Sequence, residues 1–218
     1  ALLAQSTLSD AERHRCDARL GLLRAEIHLL YGDSVAAQRL VDKSASLFAE
    51  IADSVGTGDV HWLQASIWVD RGNSAQVEDS LGQAIAAYQS SDDALRSAAA
   101  RARHLVNASF REPVATASAL DVQFPLELKL SPSVLAWVSA ARANVAGLTN
   151  NPGGSIKHDL LAYHSALDSG QVRQALVSVT NAAESFATLG DLDSALEWSE
   201  QALVLAPVFE QVLQQQER

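Results

Sequence analysis

Cysteine is nearly missing from this 218-residue chain, and methionine is missing altogether. Cys16 alone cannot form an internal disulfide or supply a zinc cluster, which suits a reducing compartment and makes the cytoplasm the expected location. Glycine and proline together number 16, too few for a collagen-like or low-complexity chain. No apolar run nears the roughly 20 residues that a membrane span needs. The first residues also lack the basic-then-apolar order of a signal peptide. Basic side chains are scarce too, 16 against 26 acidic ones, for a formal net charge of −10. A long polyanion is repelled by that balance, so nucleic acid is not an expected partner. A chain that opens on Ala1 and lacks methionine is expected to be a segment of a longer polypeptide.

What is abundant points one way. Hydrophobic residues make up 48% of the chain, and 38 residues are alanine, a strong helix former too small to build a sheet core alone. An all-α fold is expected. Four turn-like corners recur: Gly32-Asp33, Gly72-Asn73, Asn150-Asn151 and Gly190-Asp191. The first two are 40 residues apart, as are the last two, and the 78 between Gly72 and Asn150 halve at Arg111-Glu112-Pro113, where a fifth, degenerate corner is predicted. Seven residues before the four clear corners stand Ala25, Ala65, Ala143 and Ala183, and twelve after them Ser44, Ala84, Ala162 and Ala202. Small residues at matching places let two helix axes cross at about 8–10 Å. Each unit therefore reads as an antiparallel helix pair, with units at about 17–56, 57–91, 92–130, 131–169 and 170–207 in one domain of 1–218. Residues 208–218 read as a capping or truncated helix whose Phe209, Val212 and Leu213 share a face. Phe124 to Pro132 alternates briefly between two prolines and reads as an extended connector, after which Ser131 or Ser133 can cap a helix.

The last unit resembles a tetratricopeptide repeat, through Ala183, Phe186, Gly190, Asp191, Ala195, Ala202 and Pro207 at that family's offsets. The first unit is similar through Ala25, Gly32, Asp33, Ala37 and Ser44, and the second through Ala65, Trp68, Gly72 and Ala84. The resemblance implies an α-solenoid of about five helix pairs forming a right-handed superhelix, with repeats longer than the family's usual 34 residues. Gly170 to Trp198 is also similar to helical arrays that precede GGDEF-type diguanylate cyclase domains in bacterial signalling proteins, although the Gly-Gly-Asp-Glu-Phe motif itself does not occur here.

In such arrays the first helix of each pair lines the concave side. The face opposite the small packing residues selects Arg19, Leu22 and Glu26 in the first unit and Trp62, Ser66 and Asp70 in the second. Arg101 and Leu105 follow in the third, Trp137 and Asn144 in the fourth, and Thr180, Asn181 and Glu184 in the fifth. The resemblance gives Asn144 and Asn181 a specific role, holding the backbone of an extended peptide through both groups of each amide. Solvated helix residues, or bonds to a neighbouring repeat, are the alternative. Ala140 stands where a carboxylate-gripping lysine belongs, which argues against a clamp for a terminal carboxylate. Trp62 and Trp137 read either as anchors for a partner or as filling between repeats, and Trp68 and Trp198 as filling.

Little in the chain suggests catalysis. The six histidines form no cluster, and His158 and His164 are six apart, off the spacing that puts two metal ligands on one helix face. No metal or cofactor is expected. Gly56-Thr57-Gly58-Asp59 and Asn151-Pro152-Gly153-Gly154 lack the lysine and Ser/Thr of a phosphate loop and read as turns. No nucleophile elbow occurs, and Cys16 has only His14 nearby, on another side of the helix. The chain is expected to be a non-enzymatic scaffold that binds a protein or peptide in its groove, as the regulatory module of a longer bacterial signalling protein. Three alternatives stay open: homodimerisation through the end or convex face of the array, as in an oligomerisation module of a cyclase; a parent enzyme whose catalytic domain lies elsewhere; and a small molecule in the groove.

Overall fold

A computed structural model describes the backbone of residues 8–216 and the side chains of residues 8–205. The protein is all-α, with ten helices and no strand among the described residues. They follow one another as pairs: α1 (Asp10–Leu30) with α2 (Ser34–Glu50), α3 (Ser54–Asp70) with α4 (Ser74–Ser90), α5 (Ala94–Ser109) with α6 (Pro113–Gln123), α7 (Pro132–Leu148) with α8 (Pro152–Asp168), and α9 (Val172–Thr188) with α10 (Leu192–Gln216). All five expected corners fall between the two helices of a pair. Two compact units, 1–100 and 101–218, divide the chain at a boundary inside α5.

Local chemistry explains the corners. Gly32 at φ +77° and Gly190 at φ +81° take the left-handed conformation that ends a helix. The next residue starts the following helix: Asp33 Oδ1 accepts from Ala36 N at 2.9 Å and Asp191 Oδ1 from Ser194 N at 3.1 Å. The same device joins successive pairs, where Asp53 and Asp93 cap α3 and α5 after Ala52 and Asp92, both at positive φ. The Arg111 corner is degenerate in detail too, since Glu112 makes no side-chain cap bond and Pro113 opens α6 instead.

The small residues at matched places lie where the helices meet. Ala25, Ala65, Ala143, Ala183, Ser44, Ala84 and Ala162 are all buried, and Ala202 packs against the core cluster that includes Tyr163 and Val179. In unit 1 the core joins Ala18, Ala25 and Leu29 of α1 to Val41 and Phe48 of α2 and to Val60, Leu63 and Ile67 of α3. Trp68 packs on the Ala65–Leu81 cluster in unit 1, and Trp198 packs in unit 2 with its ring edge-on to Tyr163 at 5.9 Å, both as filling between helices.

Three expectations need correction. Gly56 to Asp59 is not a turn but part of the first two turns of α3. A Cβ on Gly56 would stand 2.2 Å from the Phe48 ring, and one on Gly58 2.4 Å from the Tyr88 ring. Those glycines admit two fully packed aromatics against the helix backbone, a tertiary reason that local composition does not reveal. Asn151 to Gly154 likewise opens α8: Asn151 caps it, with Gly154 N bound to Oδ1 at 2.9 Å, and Pro152 is its first residue. The third correction is the tail. No separate helix begins at 208, because α10 runs unbroken through Pro207 to Gln216; proline there forfeits one hydrogen bond without ending the helix. The expected face of Phe209, Val212 and Leu213 lies outside the described side chains. The connector between α6 and α7 carries one tight turn, with Leu128 N bonded to Pro125 O, and no strand. Ser131 occupies the α7 cap position in extended conformation without a side-chain cap bond.

Candidate functional site: a groove between the first and third helices

Within unit 1, α1 and α3 pack against each other as well as against α2. Arg19, Leu22, Leu23 and Glu26 lie at i, i+3, i+4 and i+7 on α1, one face of the helix. On α3 the corresponding face carries Asp59, Trp62 and Leu63. Together these seven residues line a cavity of about 300 Å³ that is open to solvent. Four of them, Arg19, Leu22, Glu26 and Trp62, are residues that the repeat geometry assigns to a binding face. Leucine side chains and the Trp62 indole supply apolar wall, and Glu26 stands exposed.

Asp59 organises the polar side. Its Oδ2 accepts from Arg19 Nη1 at 3.1 Å, its Oδ1 from the Tyr88 hydroxyl at 2.8 Å, and Arg96 Nε lies 3.3 Å from the same Oδ1. Arg96 is tied in turn to Asp93 at 2.6 Å. Burial, and then the Asp59 carboxylate beside it, raise the Tyr88 phenol well above its ordinary range, so it stays a donor. One turn earlier Arg15 Nε reaches Asp53 Oδ2 at 2.8 Å. Burial alone would lift the Asp53 carboxyl, but the Gly56 N–H and the Arg15 guanidinium outweigh it and hold the group below the usual value. The first helices of unit 1 are thus bound by charge-assisted bonds that neutralise Arg15, Arg19 and Arg96. With both oxygens of Asp59 engaged, the arrangement is suited to holding a surface rigid and presenting its apolar wall.

The remaining predicted positions are distributed differently. Ser66 is buried and Asp70 is exposed, both on α3. In unit 2, Arg101 is exposed, whereas Leu105 is buried. Trp137 is half-buried under the guanidinium of Arg103, 5.0 Å from its ring centroid. Asn144 Nδ2 donates to Ser109 Oγ at 3.2 Å, so its amide bridges α5 and α7 instead of facing solvent with both groups. Thr180 is exposed and bonds back to Leu176 O at 2.9 Å, Asn181 is half-buried and Glu184 exposed. Ala140 is buried. Among the described residues no group of three or more His, Cys, Asp or Glu is placed to hold a metal ion, and Cys16 is exposed.

Sequence reasoning missed Asp59, Tyr88 and Arg96, the residues that brace the groove, and Arg103 in unit 2. A signal for the first existed: Arg19 and Asp59 are opposite charges one repeat period apart. Comparison with protein-family models, with curated proteins and with solved structures gives no match. No helix among the described residues is long and apolar enough to cross a membrane.

Proposed function

We propose that the chain is a partner-binding scaffold, and that the α1/α3 groove of unit 1 receives an apolar side chain of a protein or peptide ligand. The observation that carries this reading is the convergence of Leu22, Leu23, Trp62 and Leu63 on one open cavity beside a braced ion network. A leucine- or aromatic-sized anchor fits a cavity of that volume, and tryptophan is enriched where partners bury such anchors. The ligand carries Lys or Arg next to its anchor, because Arg15, Arg19 and Arg96 beside the groove are already paired with carboxylates and the chain's formal charge is −10. The tetratricopeptide-like offsets at the two ends of the chain support a regulatory role in a larger signalling protein, in the manner of arrays that precede cyclase domains.

Selection from a displayed random-peptide library on the immobilised chain tests this reading, with titration calorimetry of the enriched peptides. Enrichment of an apolar residue beside Lys or Arg, with affinity lost in Leu63→Ala and Trp62→Ala, is expected. Peptides that bind these variants as well as the parent chain overturn the groove assignment.

A second reading, self-association, is favoured by one surface: Leu192, Leu196 and Leu203 of α10 lie on one helix stripe and are each more than 60% exposed. Sedimentation of the chain at high concentration separates the two, a concentration-independent monomer counting against self-association.

A further inference from the structure

Nine residues after each corner, the second helix of the first three pairs places an aliphatic residue in the core: Val41, Leu81 and Leu120, each no more than 1% exposed. In the fourth pair that place is taken by Asp159, which is 2% exposed. One turn earlier Ala37, Val77 and Thr116 are matched by Ser155, and the Ser155 hydroxyl donates to Asp159 Oδ2 at 3.2 Å, the one hydrogen bond the carboxyl makes among the described residues. Among the described residues no ion pair reaches it. The ionisable side chain of α7 is Arg142, which donates instead to Asp121 Oδ1 and to the Phe124 carbonyl, each at 3.0 Å. α9 carries Arg173 and Glu184, and α8 itself carries Lys157, His158, Tyr163, His164 and Asp168; what acts on the Asp159 carboxyl is its burial and the Ser155 hydroxyl, with no charged neighbour among the causes. A carboxylate buried without a cation and with one hydroxyl donor is costly, whereas the neutral acid is tolerated.

We propose that Asp159 is a proton-linked switch of unit 2: the α7–α9 stack packs tightly around the neutral acid and loosens when the acid ionises. Burial pushes the carboxyl up to about 7, the Ser155 hydrogen bond opposing only in part. Because the folded value lies above the ordinary 3.8, the neutral acid's full stability is present below that ordinary value. It is lost as pH rises towards 7 and levels off above. His158, whose buried Nδ1 has no hydrogen-bond partner among the described residues, works with the opposite sign. Burial, and then the charges of Arg142 and Lys157, hold it below its usual value, so its contribution is lost on acidification.

The test is denaturant unfolding of the full chain and of Asp159→Asn between pH 5 and 8, with backbone hydrogen exchange as the local readout. His158 is present in both proteins, so the difference isolates Asp159. Relative to the variant, the unfolding constant of the parent chain is expected to rise by up to about tenfold per pH unit below 7. Protection is expected to fall in α8 and α9 but not in α2, where Val41 holds the equivalent place. Parallel pH profiles for the two proteins, or an equal loss of protection in α2, overturn the proposal. A carbon-13 carboxyl titration of the parent chain guards against a variant that fails to fold, and a midpoint for Asp159 below 5 also overturns it.

Discussion

Arg19 and Asp59 are 40 residues apart in sequence and 3.1 Å apart in space. The repeat period brings them together, since each sits on the first helix of its pair and the pairs stack in register. Their pairing ties α1 to α3 beside the groove and leaves Tyr88 and Arg96 to complete the carboxylate. Arg19→Ala is expected to lower stability by about 1 kcal/mol, because the guanidinium is two-fifths exposed and solvent screens the pair. Asp59→Ala is expected to cost more, about 2–3 kcal/mol, since it strands the buried Tyr88 hydroxyl. Urea unfolding followed by circular dichroism checks the order of the two losses.

Glycine substitutions separate helix propensity from packing. Alanine for glycine inside a helix ordinarily gains about 1 kcal/mol. Gly82 in α4 has nothing within 4 Å of an added Cβ, and Gly82→Ala is expected to stabilise by about that amount. At Gly58 the new methyl would stand 2.4 Å from the Tyr88 ring. There the overpacking penalty of about 1–3 kcal/mol exceeds the propensity gain, and Gly58→Ala is expected to destabilise. Thermal melts of the two variants should move in opposite directions.

Asp53 caps α3 and pairs with Arg15, and its carboxyl is held below the ordinary 3.8. A lowered folded value means that the stability is present above the ordinary carboxylate range and is lost as pH falls through the folded one. Asp53→Ala is expected to cost about 1 kcal/mol at pH 7. The gap between variant and parent should narrow below pH 4, which acid-titrated unfolding curves would reveal.

Much of this was legible in the residues themselves. The corners at 32, 72, 150 and 190 combine a residue that tolerates positive φ with a capping side chain, and the one at 111 has a proline start instead; such signals are local. Burial of Ala25, Ala65 and Ser44 followed from the same period. Arg19, Leu22, Glu26 and Trp62, expected on one face, do line a common cavity, because the side of a first helix opposite its small residues is fixed by helical geometry. What escaped depended on contacts between pairs. Gly56 and Gly58 looked like a turn because the rings that need them, Phe48 and Tyr88, stand on α2 and α4. For Asn144 the sequence left a peptide contact and a bond to a neighbouring repeat both open, because Ser109, which it bonds, lies 35 residues away. Asp159 drew no attention, since a lone acid in a helix ordinarily points to water.

Methyl resonances of Leu22, Leu23 and Leu63, followed together with the Trp62 indole while a library-selected peptide is titrated into the chain, test the groove most directly. The account predicts that these four residues shift first and saturate together, with α7 to α10 unchanged at the same peptide concentration. Shifts confined to Leu192, Leu196 and Leu203, or to the α7 and α9 residues Asn144 and Asn181, contradict it.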